Sequence, residues 1–329
     1  MTVEAPELVT IERVSDAADR IRGVALHTPL LAWDETTWLK PESLQPVGAF
    51  KMRGAYNKVA SLTDAERQRG VVTYSSGNHA QAVARAARLL GVRAVICMPD
   101  DAPRIKVEGV RRDGAEIVFT GPASEERHRV ALDLVAQRGY VMVEPYDDPD
   151  IIAGQGTCGL EIAEDLPSVT SVVVPVSGGG LSAGIATAVK ALCPQARVIG
   201  VEPELAADAR ESLELGELVT WPGELTGRTM ADGLRTQSLG PLPFEHLRRY
   251  LDGIVTVSED ELADAMRQLA MRARLVVEPS GAAAMAAHLA DRIPSASPGA
   301  ARDDARVIVI SGGNVDPELY ARILLGATA

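Results

Sequence analysis

Val172-Val173-Val174-Pro175-Val176-Ser177-Gly178-Gly179-Gly180-Leu181-Ser182-Ala183-Gly184 carries an unbroken apolar run into a glycine turn and from there into helical spacing. A strand without polar alternation is covered on both faces, which is the pattern of a parallel sheet flanked by helices. The turn that joins the two elements adds a chemical possibility. Its glycines permit close approach, so backbone N–H groups and a helix N-terminus can converge on a phosphate, with an ordinary tight turn as the alternative. No Gly-Lys-Ser/Thr follows, and no Gly-x-Gly-x-x-Gly with a later acidic residue is present, which argues against a nucleotide loop.

The same rhythm extends in both directions. Residues 71–74, 94–98, 116–119 and 140–143 read as short strands, with helical spacing between them over 79–90 and 125–137. A second series has strands at 172–176, 198–202 and 307–310 and helices at 181–192 and 260–274. Two βαβ series predict two α/β lobes. Residues 144–151, with Pro145, Pro149 and three aspartates, read as the crossing between them, and 282–287 as an Ala-rich, closely packing helix. The expected division is a discontinuous large domain over 1–62 and 148–329, with a small, mobile, substrate-closing domain over 63–147.

Composition narrows the function. A chain of 329 residues with 46% hydrophobic content can bury a sizeable core, and a net charge of -12 without a basic run argues against nucleic acid. The first ten residues have no apolar leader and no stretch reaches membrane-spanning length, so the expectation is a cytoplasmic protein acting on small molecules. Cys97, Cys158 and Cys193 show no metal-ligand spacing and read as reduced, mostly buried residues.

Phe50-Lys51-Met52-Arg53-Gly54-Ala55 supplies a candidate imine-forming lysine. Lys51 stands where a loop over 44–48 meets a helix over 52–62, whose positive end disfavours an ammonium. An amine that loses its proton readily is nucleophilic. Ser75-Ser76-Gly77-Asn78-His79 follows as a turn rich in hydrogen-bonding groups, and Ser311-Gly312-Gly313-Asn314 places a serine at a strand's carboxyl end, where open α/β sheets hold ligands.

These four motifs, in this order, resemble the fold-type II pyridoxal phosphate enzymes of the threonine/serine dehydratase and serine racemase branch. The likeness runs from Leu30 through Asp316. It implies the two-lobed, tryptophan synthase β-like fold, with parallel-rich sheets flanked by helices. It also implies roles. Lys51 would bind pyridoxal 5'-phosphate covalently, Phe50 pack beside its ring, Asn78 bond its 3-oxygen, Ser177, Gly178, Gly179, Gly180 and Leu181 hold its phosphate, and Ser311 face its pyridine nitrogen. Gly233 and Glu278 would complete that shell. A neutral serine leaves the pyridine nitrogen less protonated than an aspartate would, which favours elimination over transamination.

For the substrate, the resemblance implies contacts from Ser75, Ser76, Asn78, His79, Arg127 and Thr236, with Ser76 as a second catalytic residue that reprotonates the face opposite Lys51 in racemases. His79 also reads as a structural histidine, and Arg127 as part of an exposed helix face. Glu202, the Ala206 carbonyl and Asp208 match a divalent-cation site for Mg²⁺, Ca²⁺ or Mn²⁺, structural in purpose; by itself the run reads as a solvated acidic helix start.

The implied reaction is β-elimination from L-threonine or L-serine to 2-oxobutyrate or pyruvate and ammonia. Serine racemisation and elimination from another β-hydroxy amino acid, such as 3-hydroxyaspartate, are the alternatives. A cofactor-binding metabolite sensor is the non-enzyme alternative, which retention of Lys51, Ser76, Asn78 and the glycine loop disfavours. Relatives imply a homodimer with no nucleic acid or membrane partner. Ala49, where relatives carry Ser, and Tyr146, where animal racemases carry Asn, are departures that leave substrate preference open. The chain ends soon after Ser311, so a regulatory domain and isoleucine feedback are not expected.

Overall fold

The computed structural model describes residues 6–326 apart from Ser76, Asp101, Pro103, Pro122, Ala123 and 295–304. Among the described residues, ten strands form two sheets. The larger contains β1 (Leu31–Ala32), β2 (Thr37–Pro41), β7 (Ser171–Pro175), β8 (Arg197–Pro203), β9 (Gly253–Val257) and β10 (Arg306–Ile310), in the order β1-β2-β10-β7-β8-β9. The smaller contains β3 (Val71–Tyr74), β4 (Ala94–Pro99), β5 (Glu116–Thr120) and β6 (Val141–Met142), in the order β5-β4-β3-β6. Every pairing is parallel except β1 with β2. The first strands of the chain thus join its last one, and the segment between them builds a separate sheet.

Continuous Val/Ile runs give this result because both faces of each sheet are covered. On one face of the larger sheet Val173, Ile199, Val201, Ile308 and Ile310 pack with the Ala-rich helix Pro279–Leu289. Their strand neighbours Val172, Val174, Val198, Val307 and Val309 point the other way, onto Ile162 and Ile185. The smaller sheet repeats the arrangement, with Ile96 and Met98 on one face and Val95 and Cys97 on the other.

The sequence reading missed β1, β2 and β9. β2 contains Lys40 and Pro41 and lacks an apolar run, so only its pairing with β10 identifies it as a strand. The expected crossing over 144–151 is shorter than predicted. Asp148 accepts N–H bonds from Asp150 and Ile151, Pro149 occupies the first turn, and the helix Pro149–Asp165 begins there. The helix expected over 260–274 is α-helical over Glu259–Gln268 and π-helical over Leu269–Ala273, ending where Arg274 turns to φ 60°. Cys97 and Cys158 are buried, Cys193 is partly exposed, and all three are free. Among the described residues no helix is long and apolar enough to cross a membrane.

Two devices position the helix Lys51–Ser61. The first is close packing: a side chain on Gly154 would meet Gly54 Cα at 2.6 Å, so this helix and Pro149–Asp165 touch backbone to backbone. The second is a buried charge cluster. Arg53, with no exposed surface, donates Nε to Glu42 at 2.7 Å and Nη1 to Glu161 at 2.6 Å, while Nη2 reaches both carboxylates at 2.8 Å. Lys40 completes the cluster with 2.6 Å bonds to Glu161 and to the Thr28 carbonyl. Burial alone would raise the Glu42 carboxyl, but Arg53 overrides it and holds the group below its ordinary value.

Arg53→Met should therefore strand the buried Glu42 carboxylate, leaving Glu161 to Lys40, and cost about 3–5 kcal/mol of stability, measured by denaturant unfolding. The Glu42 contribution is present above its unfolded pKa and disappears as pH falls through its lower folded value. Wild type should accordingly lose more stability on acidification than the variant does.

Candidate active site

Chain continuity and sheet order bring Lys51 to the carboxyl end of β10. Ala49 bridges Gly312, the Phe50 N–H donates to the Ser311 carbonyl at 3.1 Å, and Gly313 N–H donates to Gly48 at 2.8 Å. Lys51 then opens its helix, whose Gly54 N–H donates to the side chain of Gln155 at 3.2 Å. The lysine Nζ donates to the Pro145 carbonyl at 2.6 Å and lies 5.1 Å from the centre of the Phe50 ring. The residue is partly exposed, but protein surrounds the amine, and this loss of water lowers its pKa to about 8. Desolvation, rather than the helix end invoked from the sequence, accounts for this shift.

Pro145 leads to the glycine turn. The next residue, Tyr146, lies against it so closely that a side chain on Gly178 would strike its ring, and one on Gly180 would meet its Cα at 3.0 Å. Gly179 has φ 91° and caps the helix Gly180–Leu192, a conformation that suits glycine. A turn stripped of side chains at a helix N-terminus is what a phosphate needs. Ser177 Oγ pairs with Thr236 Oγ1 beside it. Tyr146 and Thr236 also line a cleft of about 320 Å³, together with Tyr74, His128, Glu144 and Arg235.

Asn78 opens the helix Asn78–Leu90 and has a fixed amide. Its Nδ2 donates to Glu278 Oε1 at 2.6 Å, and its Oδ1 accepts from Asn314 Nδ2 at 2.8 Å. Asn314 in turn donates to the Val47 carbonyl at 2.8 Å. Glu278 is buried, which pushes its carboxyl up to about 7 against the opposing charge of Lys106, and its Oε2 has no partner. Gly233 N–H donates to Ser280 Oγ at 2.8 Å, two residues beyond that carboxylate. Ser311 is buried at the end of β10.

The substrate-side residues fare unevenly. Ser75 Oγ accepts the Gly77 N–H at 3.2 Å, and Ser76 lies outside the described residues. His79 is buried, with Nε2 3.1 Å from the Val143 carbonyl, to which it donates. Burial, reinforced by the Lys51 charge, lowers its pKa to about 3, so the ring is neutral and engaged away from solvent. Arg127 is half-buried on the helix Ser124–Arg138, next to His128, whose ring lies 4.5 Å from that of Tyr74.

Glu202 and Asp208 stand apart, at the end of β8 and the start of the helix Asp208–Leu215. Both Glu202 oxygens accept backbone N–H groups, from Ala209 at 3.0 Å and Arg210 at 2.8 Å. Asp208 Oδ2 is buried without a partner. Burial raises both carboxyls, Glu202 well above its ordinary value with Asp208 adding to it, and Asp208 to about 7. Ala206 is buried between them in sequence.

The structure thus joins Lys51, Phe50 and Ser311 in one wall, Asn78, Glu278 and Gly233 in a second, and the 177–181 turn with Thr236 in a third. Sequence reasoning missed the Pro145 carbonyl, Gln155, and the pair Lys106 and Asp232. A carbonyl has no sequence signature, and a buried lysine on a helix reads like a solvated one. Asn314 lay within a motif already singled out, so its side-chain amide was the one available signal.

Comparison with known proteins gives the same picture. The signature described as "Pyridoxal-phosphate dependent enzyme" matches residues 21–313, and the chain belongs to that family. It is 42% identical to the L-threonine ammonia-lyase of Thermotoga maritima, over 96% of this chain and 78% of that one. It is 40% identical to the L-threo-3-hydroxyaspartate ammonia-lyase of Saccharomyces cerevisiae, over 95% of both. The structure of maize serine racemase superposes with a TM-score of 0.90 at 36% identity, covering 97% of this chain and 98% of that one.

The residues fit the family's cofactor. An enclosed amine of lowered pKa, a side-chain-free turn at a helix N-terminus, and the partnerless Glu278 Oε2 answer to its aldehyde, its phosphate and its polar ring edge. Because only the neutral amine is nucleophilic, borohydride-fixable attachment of pyridoxal phosphate to the apoprotein should speed up as pH rises through about 8 and level off above it. Stopped-flow absorbance measures this rate; one still rising tenfold per pH unit to pH 10 contradicts a lowered Lys51 pKa.

Proposed function

We infer that the chain is an ammonia-lyase that removes the β-hydroxyl of L-threonine or L-serine, releasing 2-oxobutyrate or pyruvate and ammonia. The observation that carries the reading is the enclosed Lys51 amine, held at 2.6 Å by a neutral carbonyl and set against the Ser311 end of β10. Family membership and the ammonia-lyase and racemase names of its relatives support the same class. Lys51, Phe50, Asn78, Gly233, Glu278, Ser311 and the 177–181 turn are the residues that hold pyridoxal phosphate. Bound there, the cofactor supplies a ring that withdraws electrons from the amino acid's α-carbon.

The protein's own groups do the rest. Lys51 would be the base that takes the α-proton, since at a pH near its value of about 8 roughly half of its amine is neutral. The backbone at the start of the helix Asn78–Leu90 receives the substrate carboxylate, since a helix N-terminus favours an anion. Position 79 contributes through its main chain there, while its neutral ring donates Nε2–H to Val143 and leaves Nδ1 buried without a partner. Asn78 cannot rotate, being held from both ends of its amide by Glu278 and Asn314. The cleft lined by Tyr74, Tyr146 and Thr236 takes the substrate's side-chain end.

Racemisation of serine is the second reading; relatives of similar identity carry each name, and Ser76 would be its acid. The turn of Glu202, Ala206 and Asp208 is proposed to take a divalent cation, supported by the partnerless, buried Asp208 Oδ2 and the two raised carboxyls. It stiffens the loop and takes no part in the chemistry.

The test is 2-oxo acid release from L-threonine, L-serine and 3-hydroxyaspartate, with chiral analysis of residual serine. The expected outcome is Lys51-dependent oxo-acid formation, reduced about 10²–10⁴-fold or more in Lys51→Ala. D-serine appearing faster than pyruvate would replace the lyase with a racemase. Failure of all three substrates, with the cofactor bound, would overturn both.

A further inference from the structure

An ion pair close to the site has no role in the function proposed above. Lys106, on the helix Arg104–Arg112 beside the four-stranded sheet, pairs with Asp232 in the short turn Asp232–Leu234, which packs on the helix Pro279–Leu289 that covers the six-stranded sheet. Lys106 is only 5% exposed. A lysine rarely surrenders its hydration to such a degree, and a buried ion pair adds little net stability, so the pairing calls for a role in geometry. Burial alone would lower its pKa, yet Asp232 and Glu278 outweigh burial and raise it, so the ammonium persists.

The stem of the lysine lies on the turn that precedes Asn78. A side chain built on Gly77 would meet Lys106 Cδ and Nζ at 3.1 Å, so glycine here makes room for the lysine. From Asp232 the contacts close into a ring. Gly233 donates to Ser280 Oγ at 2.8 Å, Ser280 sits in the first turn of the helix that Glu278 precedes, and Glu278 holds Asn78 at 2.6 Å. Asn78 follows Gly77, on which Lys106 rests. Two of the links, Lys106 with Asp232 and Asn78 with Glu278, join the smaller sheet's segment to the larger sheet's.

We propose that Lys106 is a positioning residue: its ion pair with Asp232 clamps the helix Arg104–Arg112 to the turn Asp232–Leu234, and its stem holds Gly77 and Asn78 in the shape that receives the substrate carboxylate. The inference rests on the reading of that turn as the carboxylate site. Lys106 acts through Asp232 and Gly77, the groups it contacts. Its action should appear in substrate affinity more than in turnover, because the clamp shapes a binding turn and leaves Lys51 where it is.

The test uses the holoenzyme, with cofactor content confirmed by absorbance. Lys106→Met keeps the stem and removes the charge; Asp232→Asn removes the partner; Lys106→Arg keeps the charge. The expected result is a KM for the hydroxy amino acid raised about tenfold in the first two, with kcat within about threefold of wild type. The Lys106→Met/Asp232→Asn double variant should be no worse than either single, since the pair acts as a unit. Lys106→Arg should recover most of the affinity. Hydrogen exchange in the helix Arg104–Arg112 of the substrate-free holoenzyme should rise in both single variants and return in Lys106→Arg. Unchanged KM and exchange, a loss confined to kcat, or additive losses in the double variant would overturn the clamp. Raised exchange in an enzyme that turns over no hydroxy amino acid would uphold the clamp and overturn the substrate reading on which its purpose rests.

Discussion

The Arg53 guanidinium is the constraint from which the site follows. It ties Glu42, just after β2, to Glu161, on the helix Pro149–Asp165, and it does so two residues after Lys51. Paired with Lys40, the cluster brings two positive and two negative charges together with their hydrogen-bonding groups largely satisfied by one another, by Thr28, by Thr157 and by the Leu26 carbonyl. Such a cluster is tolerated in a protein interior only when its geometry is met, so it fixes the rotation and height of the helix that begins with the lysine. The amine has no comparable anchor of its own; it inherits its place from Arg53.

Small residues translate that fixed point into a cleft. Where Gly54 meets Gly154, and where a side chain on Gly156 would meet the Gly184 carbonyl at 3.0 Å, three helices approach at backbone distance. The central helix Pro149–Asp165 therefore holds the lysine helix on one side and the helix Gly180–Leu192 on the other. The turn at the head of the latter faces Tyr146, one residue beyond the carbonyl that receives Lys51. Backbone contact leaves little slack, so a displacement of one helix is passed to the others.

Burial then sets the protonation states that the chemistry uses. Lys51 is moved toward the neutral amine, His79 is kept neutral, and Glu278 is brought to about 7. The three shifts share one cause, removal of water from the charged form, and they act in opposite directions for bases and acids. Lys106 is the exception because two carboxylates stand close enough to outweigh its burial. Burial and its partners thus give the site one nucleophile at Lys51, one fixed amide at Asn78 and one retained positive charge at Lys106.

The sequence by itself determined the α/β class, seven of the ten strands, and the positions of Lys51, Asn78, the 177–181 turn and Ser311. Those features are written locally: apolar runs record two-sided burial, glycines record close approach, and motif order records chain topology. The tertiary structure decided the rest. β2 is a strand because β10 lies beside it, His79 is neutral because Val143 and Lys51 surround it, and Lys106 is distinguished from a surface lysine only by the carboxylate of Asp232, 126 residues away. Hydrogen-bond partners, pairing edges and desolvation depend on what the folded chain brings near, and no local window of sequence contains that neighbour.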